Sequence, residues 1–331
     1  MNLRENVLAV YNHRKPETTP VLLESVQLVG LWAANECGLR GEEVRPGVNL
    51  DSFGCEWDQT HGQPVPYPGN YVLDDICNWR ETVVFPDIEN WDWDALAAAE
   101  LGQAGYNRDE KALTFFSEMG CFDRLSTVMG FQNMLIAMAM EPDACSDFFG
   151  AVADYKIKLI DIVYDAYHPD IFNHNEDIAK ADGLMISPDM YRKLIKPHHA
   201  RIIKAIRDRG MIAEQHTCGK CDAVAGDYAE IGIQSFFPAQ ASNDNAEIIR
   251  RYGDTMIVTG GFDSQGAVGR GDATEDITRA EARRMADDYA ALGNYVCMPM
   301  IGTALSADEG EMQRIGWFLD EFHRECARLG I

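Results

Sequence analysis

Cations are scarce in this sequence: 29 Lys and Arg stand against 53 Asp and Glu, a formal net charge of −24 at pH 7. A chain this acidic repels phosphate backbones and anionic lipid headgroups over most of its surface, so neither nucleic acid nor a membrane is an expected partner. An anionic small substrate would need a local basic or metal-bearing pocket. No run approaches the roughly 18 apolar residues of a membrane span. Charge also interrupts the first residues, Met1-Asn2-Leu3-Arg4-Glu5-Asn6, where a signal peptide would be apolar. A cytoplasmic protein is expected. The nine cysteines are odd in number, which excludes a complete disulfide framework and leaves free thiols and thiolates.

Linkers, low-complexity tracts and internal repeats are missing too, so one domain is expected over residues 1–331. A stretch at about 51–94 differs in kind: it holds Trp57, Trp79, Trp91 and Trp93 with Pro64, Pro66, Pro68 and Pro86, and reads as an inserted excursion of short strands and loops. Elsewhere β-rich runs alternate with amphipathic stretches. Candidate strands are Val21 to Glu24, Ala112 to Glu118, Asp170 to Asn175, Met211 to Gln215, Ile233 to Pro238, Met256 to Gly260 and Tyr295 to Met298. Helical patterns lie between them, at Asp143 to Tyr167, Pro188 to Arg209 and Thr274 to Leu292, with Ser187-Pro188 a clear helix start. Such alternation implies a parallel sheet. The Gly-x-Gly-x-x-Gly fingerprint of a dinucleotide fold does not follow the first strand, which favours an α/β (β/α)8 TIM barrel with an N-terminal excursion. Chemistry is then expected at the C-terminal ends of the strands.

The densest chemistry there is Glu214-Gln-His216-Thr-Cys218-Gly-Lys-Cys221, a strand running into a His-x-Cys-Gly turn. Imidazole and thiolate are favoured zinc ligands, and alternate residues at a strand end can point the same way. Cys297, near the end of the last candidate strand, would join His216 and Cys218 if the barrel closes. A His-x-Cys pair alone is too short to be specific, and Cys297 in Tyr-Val-Cys-Met-Pro also reads as a small core residue. Cys218 and Cys221 could form a redox pair or half of a structural zinc site, but no second Cys-x-x-Cys completes one.

These residues add up to a resemblance. His216-Thr-Cys-Gly-Lys, Tyr228-Ala-Glu-Ile-Gly-Ile-Gln, Phe237-Pro-Ala-Gln240 and Gly260-Gly-Phe-Asp263 resemble the second half of the uroporphyrinogen decarboxylase superfamily. Asn175-Glu-Asp177, Leu184-Met-Ile-Ser-Pro188 and Leu194-Ile-Lys-Pro197 fit the same pattern. The likeness runs from about Leu22 to the C-terminus and is weakest over the first ~110 residues. The decarboxylase branch carries an N-terminal Arg-rich signature for the acetate groups of a tetrapyrrole; here the matching place reads Pro20-Val-Leu-Leu-Glu24-Ser-Val-Gln, with an acid where cations are wanted. The sequence is more similar to the zinc-dependent, corrinoid-linked methyltransferases, whose His-x-Cys and distant Cys pattern His216, Cys218 and Cys297 match.

That resemblance implies a catalytic zinc with one position left for substrate. It also implies a methyl group moving between a small methylated compound or a thiol and the cobalt of a corrinoid. A separate corrinoid protein would carry the cobalt, since one barrel consumes the chain and no Asp-x-His-x-x-Gly signature is present. Anaerobic one-carbon metabolism, O-demethylation of an aromatic methyl ether and a homodimer belong to the same expectation. Among supporting residues, Glu24 could orient substrate or donate a proton, or be an ordinary first-turn acid. Glu176 and Asp177 are adjacent, so only one should reach the pocket, as a catalytic group, a fourth zinc ligand or a partner fixing the His216 tautomer. Gln240 and Asp263 could be a fourth zinc ligand or a partner to one, or simply cap helices. Trp57 and Tyr67 could form a lid over a flat substrate, or pin the excursion. Two other readings stand beside this one: a lyase for a small carboxylic acid, using Asp177 or Asp75, and a non-catalytic zinc- or corrinoid-binding accessory protein.

Overall fold

The computed structural model describes residues 1–31, 33–61, 63–302 and 308–331. Seven runs rich in β-branched and aromatic residues form one parallel sheet: β1 (Val26–Val29), β2 (Ala112–Ser117), β3 (Ile171–Asn175), β4 (Ile212–His216), β5 (Ser235–Phe237), β6 (Ile257–Gly261) and β7 (Tyr295–Met298). They lie side by side in chain order, with helices such as Pro142–Tyr167, Lys196–Asp208 and Glu275–Asp288 in the crossovers. This is the winding that curls a sheet into a TIM-barrel-like fold. The ladder is open between β1 and β7, and a parallel bridge from Val21, ahead of β1, to Cys297 in β7 reaches across the gap. The expected first strand, Val21 to Glu24, is instead one helical turn, Leu22–Ser25; the strand begins at Val26. Leu-Leu-Glu favours helix, and Val-Gln-Leu-Val favours strand.

The expected helix from Pro188 is capped by Ser187, whose hydroxyl accepts from the Met190 N–H at 3.1 Å. It then widens into a π turn at Tyr191–Ile195 before Lys196–Asp208. Pro197 has no N–H to donate four residues back, and the wide turn accommodates that loss. Among the described residues, no helix is long and apolar enough to cross a membrane.

Side chains inside the barrel stack in layers because they alternate along each strand. At the N-terminal end, Val7, Val10 and Tyr11 of helix Leu3–Tyr11 pack with Ala112, Ile171, Ile212 and Val296. Above them is a polar layer: buried Glu214 accepts from Tyr11 Oη, Asn173 Nδ2 and Ser235 Oγ, each at 2.8 Å. At the mouth the inward residues include Phe116, Phe237 and Met298. Asn175 and Phe237 are the register partners of His216 in β3 and β5.

The excursion begins earlier than residue 51. Glu43–Arg45, Val48–Leu50, Glu56–Asp58 and Val65–Pro66 form a four-stranded antiparallel sheet, and helix Trp93–Ala104 leads back to β2. A buried ion pair fastens it to the barrel: Arg124, on helix Cys121–Met129, reaches Asp51 Oδ2 at 2.6 Å and lies over the Phe53 ring at 3.9 Å. Asp51 also accepts from the Phe53 and Cys55 N–H groups and from the Trp57 indole at 3.1 Å. Removing the cation would strand a buried carboxylate. Arg124→Ala is therefore expected to cost about 3–5 kcal/mol in urea unfolding; a loss below ~1 kcal/mol would contradict a pair shielded from water.

Candidate metal centre

Asp177, His216 and Cys218 meet where β3 and β4 end, with one ligand atom from each within 4.8 Å of the others. Backbone pairing brings them there. The Glu176 N–H donates to the His216 carbonyl at 3.0 Å, and the Thr217 hydroxyl donates to the Glu176 carbonyl at 3.0 Å. The Cys218 N–H then donates to Asp177 Oδ1 at 2.5 Å, which leaves the other carboxylate oxygen for a ligand. The turn closes at Gly219, with φ +85°, where a Cβ would lie 2.6 Å from the Lys180 carbonyl oxygen. Only glycine suits that position.

His216 is wedged between aromatic rings, 5.2 Å from Phe116 and 5.3 Å from Phe237. Its Nε2 faces Cys218 Sγ at 3.3 Å, and its Nδ1 is buried without a partner. The Oδ1 of Asn175, also buried, has no partner either. Burial pushes His216 down to about 4 and Asp177 up to about 6. Cys218 rises to about 12, through burial and then the charges of Asp177 and Asp123. By themselves these groups favour a neutral imidazole, a thiol and a carboxyl that ionises late. A divalent cation would favour the anionic forms of the last two. One nitrogen, one sulfur and one carboxylate oxygen are a donor set that zinc takes, and three protein ligands leave a position open.

The family model described as Uroporphyrinogen decarboxylase (URO-D) matches residues 49–322. The chain belongs to the URO-D family. Among solved structures, a methyltransferase from Methanosarcina mazei superposes with a TM-score of 0.68 at 15% identity, over 97% of this chain and 99% of that one. At that identity it shows the shared fold. No curated protein matches the chain.

Within this URO-D barrel the residues singled out from sequence divide sharply. His216 and Cys218 come together and Asp177 joins them, but Cys297 does not. Val296 and Met298 belong to the interior cluster, so Cys297 between them faces the helical layer, buried with Tyr295 and Cys326. Glu176 also points away, its carboxylate accepting the Cys121 and Phe122 N–H groups at 2.8 and 2.6 Å at the start of helix Cys121–Met129. Gln240 supports the site: its Oε1 accepts the Gly219 N–H at 2.7 Å. Asp263 is not among the clustered ligands; its Oδ1 accepts the Gly266 N–H at 2.9 Å. Glu24 sits on the outer helical turn and pairs with His323 at 3.0 Å, so it does not face the centre. Trp57 is buried in the excursion, and half-buried Tyr67 lies under Arg45 at 4.9 Å, so they pin the excursion rather than form a lid. Exposed Asp75 caps a short turn through the Cys77 N–H at 2.9 Å. Cys221 is buried, its N–H on Asn243.

Sequence reasoning missed Asp123. Its Oδ2 accepts the Asp177 N–H at 2.9 Å, and burial and then the Asp177 charge push its carboxyl up to about 7. It sits in the first turn of the helix after β2, a position that a search of strand ends alone passes over. A carboxyl whose folded pKa lies above its unfolded value contributes stability at acid pH and loses it as pH rises through the folded pKa. In metal-stripped protein, the Tm of Asp123→Asn relative to the parent should therefore climb from about pH 4 to about pH 8 in scanning calorimetry. An advantage that shrank with rising pH would contradict the burial of Asp123.

Proposed function

We propose that the protein is a zinc-dependent methyltransferase that takes a methyl group from a small methylated compound and passes it to the cobalt of a corrinoid held by a partner protein. The observation that carries this reading is the convergence of Asp177, His216 and Cys218 at the mouth of a URO-D barrel. The fold it shares with the Methanosarcina mazei methyltransferase supports it. Zinc bound there would supply Lewis acidity to the ether or thioether heteroatom of the substrate while the methyl carbon is attacked.

The chain's own residues do the rest. Asp177 holds the Cys218 amide, and Gln240 holds the next one, so the thiolate is fixed before substrate arrives. Phe116 and Phe237 keep the His216 ring in place and exclude water from one side of it. Asp123 anchors the backbone of Asp177. The aromatic-ether preference loses its support, because Trp57 is buried. The lyase reading loses Asp75, which caps a surface turn.

Two outcomes are expected. Protein purified anaerobically should carry about one zinc per chain, with a large loss in His216→Ala, Cys218→Ser and Asp177→Asn but not in Cys297→Ser. Methyl transfer to free cob(I)alamin should fall roughly 100-fold or more in the first two variants and stay near parental in Cys297→Ser. Carbon dioxide release from a carboxylic acid without methyl transfer would favour a lyase, and zinc binding without turnover an accessory protein. A parent that refuses added zinc would overturn the reading.

The pH dependence of binding has a fixed sign. Zinc must displace the Cys218 proton, and below about pH 6 the Asp177 proton as well. Affinity measured by competition with a chelator of known pH response should thus weaken roughly tenfold per unit as pH falls, and more steeply below the Asp177 value. A pH-independent affinity would contradict a thiolate ligand.

A further inference from the structure

Beside the metal centre, a cavity of about 170 Å³ opens between the segments that follow β5 and β6, lined by Gln240, Ser242, Phe262, Asp263, Ser264 and Gln265. That volume leaves room for a small organic molecule. One wall residue links it to the centre. Gln240 forms part of its wall and also holds the Gly219 N–H, one residue beyond Cys218.

We propose that this cavity anchors an ammonium group of the substrate. The methylated compound would then be a short thioether or ether with a protonated amine at its far end. This rests on the methyltransferase reading and narrows its substrate class.

The lining has one charged side chain, Asp263. Its Oδ1 is committed to the Gly266 N–H, while Oδ2 has no hydrogen-bond partner among the described residues. Asp263 also has no salt bridge there. The Ser242 hydroxyl is buried and unpartnered. Lys220, which reaches this wall, is already engaged: its Nζ donates to the Ser242 carbonyl at 2.8 Å and pairs with Asp222 at 2.7 Å. An open carboxylate oxygen, with an unpartnered serine hydroxyl in the same wall, makes a site for N–H donors and positive charge. A net charge of −24 strengthens the preference, since the protein's field enriches cations at the mouth and depletes anions. An ammonium nitrogen has no lone pair for a metal. The two ends of the substrate therefore cannot exchange places: the amine goes to Asp263 and the sulfur or oxygen to the metal side.

The test uses the full chain and two probes of equal size, 2-(methylthio)ethylamine and methyl propyl sulfide, which differ by an ammonium group in place of a methyl. Calorimetric titration of zinc-loaded and metal-stripped protein reads binding, with Asp263→Asn and Ser242→Ala alongside. Asn keeps an oxygen for the Gly266 N–H, and zinc content in each variant reports an intact centre. We expect saturable binding of the amine, at least tenfold weaker in Asp263→Asn and weaker in Ser242→Ala, with zinc unchanged and the neutral sulfide at least tenfold poorer than the amine. Equal binding of the two probes, undiminished binding in Asp263→Asn, or no saturable binding of the amine would overturn the proposal. The two readings fail separately. Methyl transfer without preference for the amine would sink the ammonium site alone, and Asp263-dependent amine binding in a protein that takes no zinc would sink the metal reading alone.

Discussion

A β-strand sends successive side chains to opposite faces, so each residue of the sheet belongs either to the barrel interior or to the helical layer outside it. That parity decides the chemistry of the mouth. It turns His216 inward between Phe116 and Phe237, and it turns Cys297 outward between Val296 and Met298. Past the strand ends the constraint relaxes, and hydrogen bonds take over. The Cys218 amide reaches Asp177, and the Gly219 amide reaches Gln240. The candidate centre therefore has two kinds of member: an imidazole fixed by strand geometry, and a thiol and a carboxylate fixed by the turn that follows.

Around that centre the protein has buried more acid than it has neutralised. Asp123 is raised to about 7 and Glu176 to about 8, both first by burial and then by neighbouring carboxylates. Glu118, beside the Cys37 thiol, is also raised to about 8, by burial and then Glu36. Two buried cations nearby are already paired: Lys156, beside Glu118, with Glu36, and Arg124 with Asp51. A mouth built this way favours positive charge, in keeping with the metal ion proposed at Asp177, His216 and Cys218 and the cationic group proposed at Asp263.

Much of this was legible in the sequence. The β-rich runs ending in polar residues marked six of the seven strands to within one residue at each end, apart from the start of β5, which lies two residues later. His216 and Cys218 stood out because both residue types bind zinc at a strand exit. The adjacency of Glu176 and Asp177 already required that only one reach the pocket. Cys297 was not legible, for a physical reason. Strands of a parallel barrel are buried on both faces, so Tyr295-Val-Cys-Met298 shows no polar alternation from which to count the inward side. Glu24 was misplaced because Leu22–Ser25 coils before β1 begins. The fate of Trp57 depended on its bond to Asp51, within an excursion whose antiparallel sheet has no strong period.

The proposed centre has one sulfur, one imidazole and one carboxylate. Zinc K-edge X-ray absorption of the zinc-loaded protein tests it most directly, because a sulfur ligand at about 2.3 Å separates cleanly from nitrogen and oxygen at about 2.0–2.2 Å. One sulfur is expected in the coordination shell, lost in Cys218→Ser and unchanged in Cys297→Ser. Two sulfurs, with one lost in Cys297→Ser, would contradict it and return Cys297 to the metal.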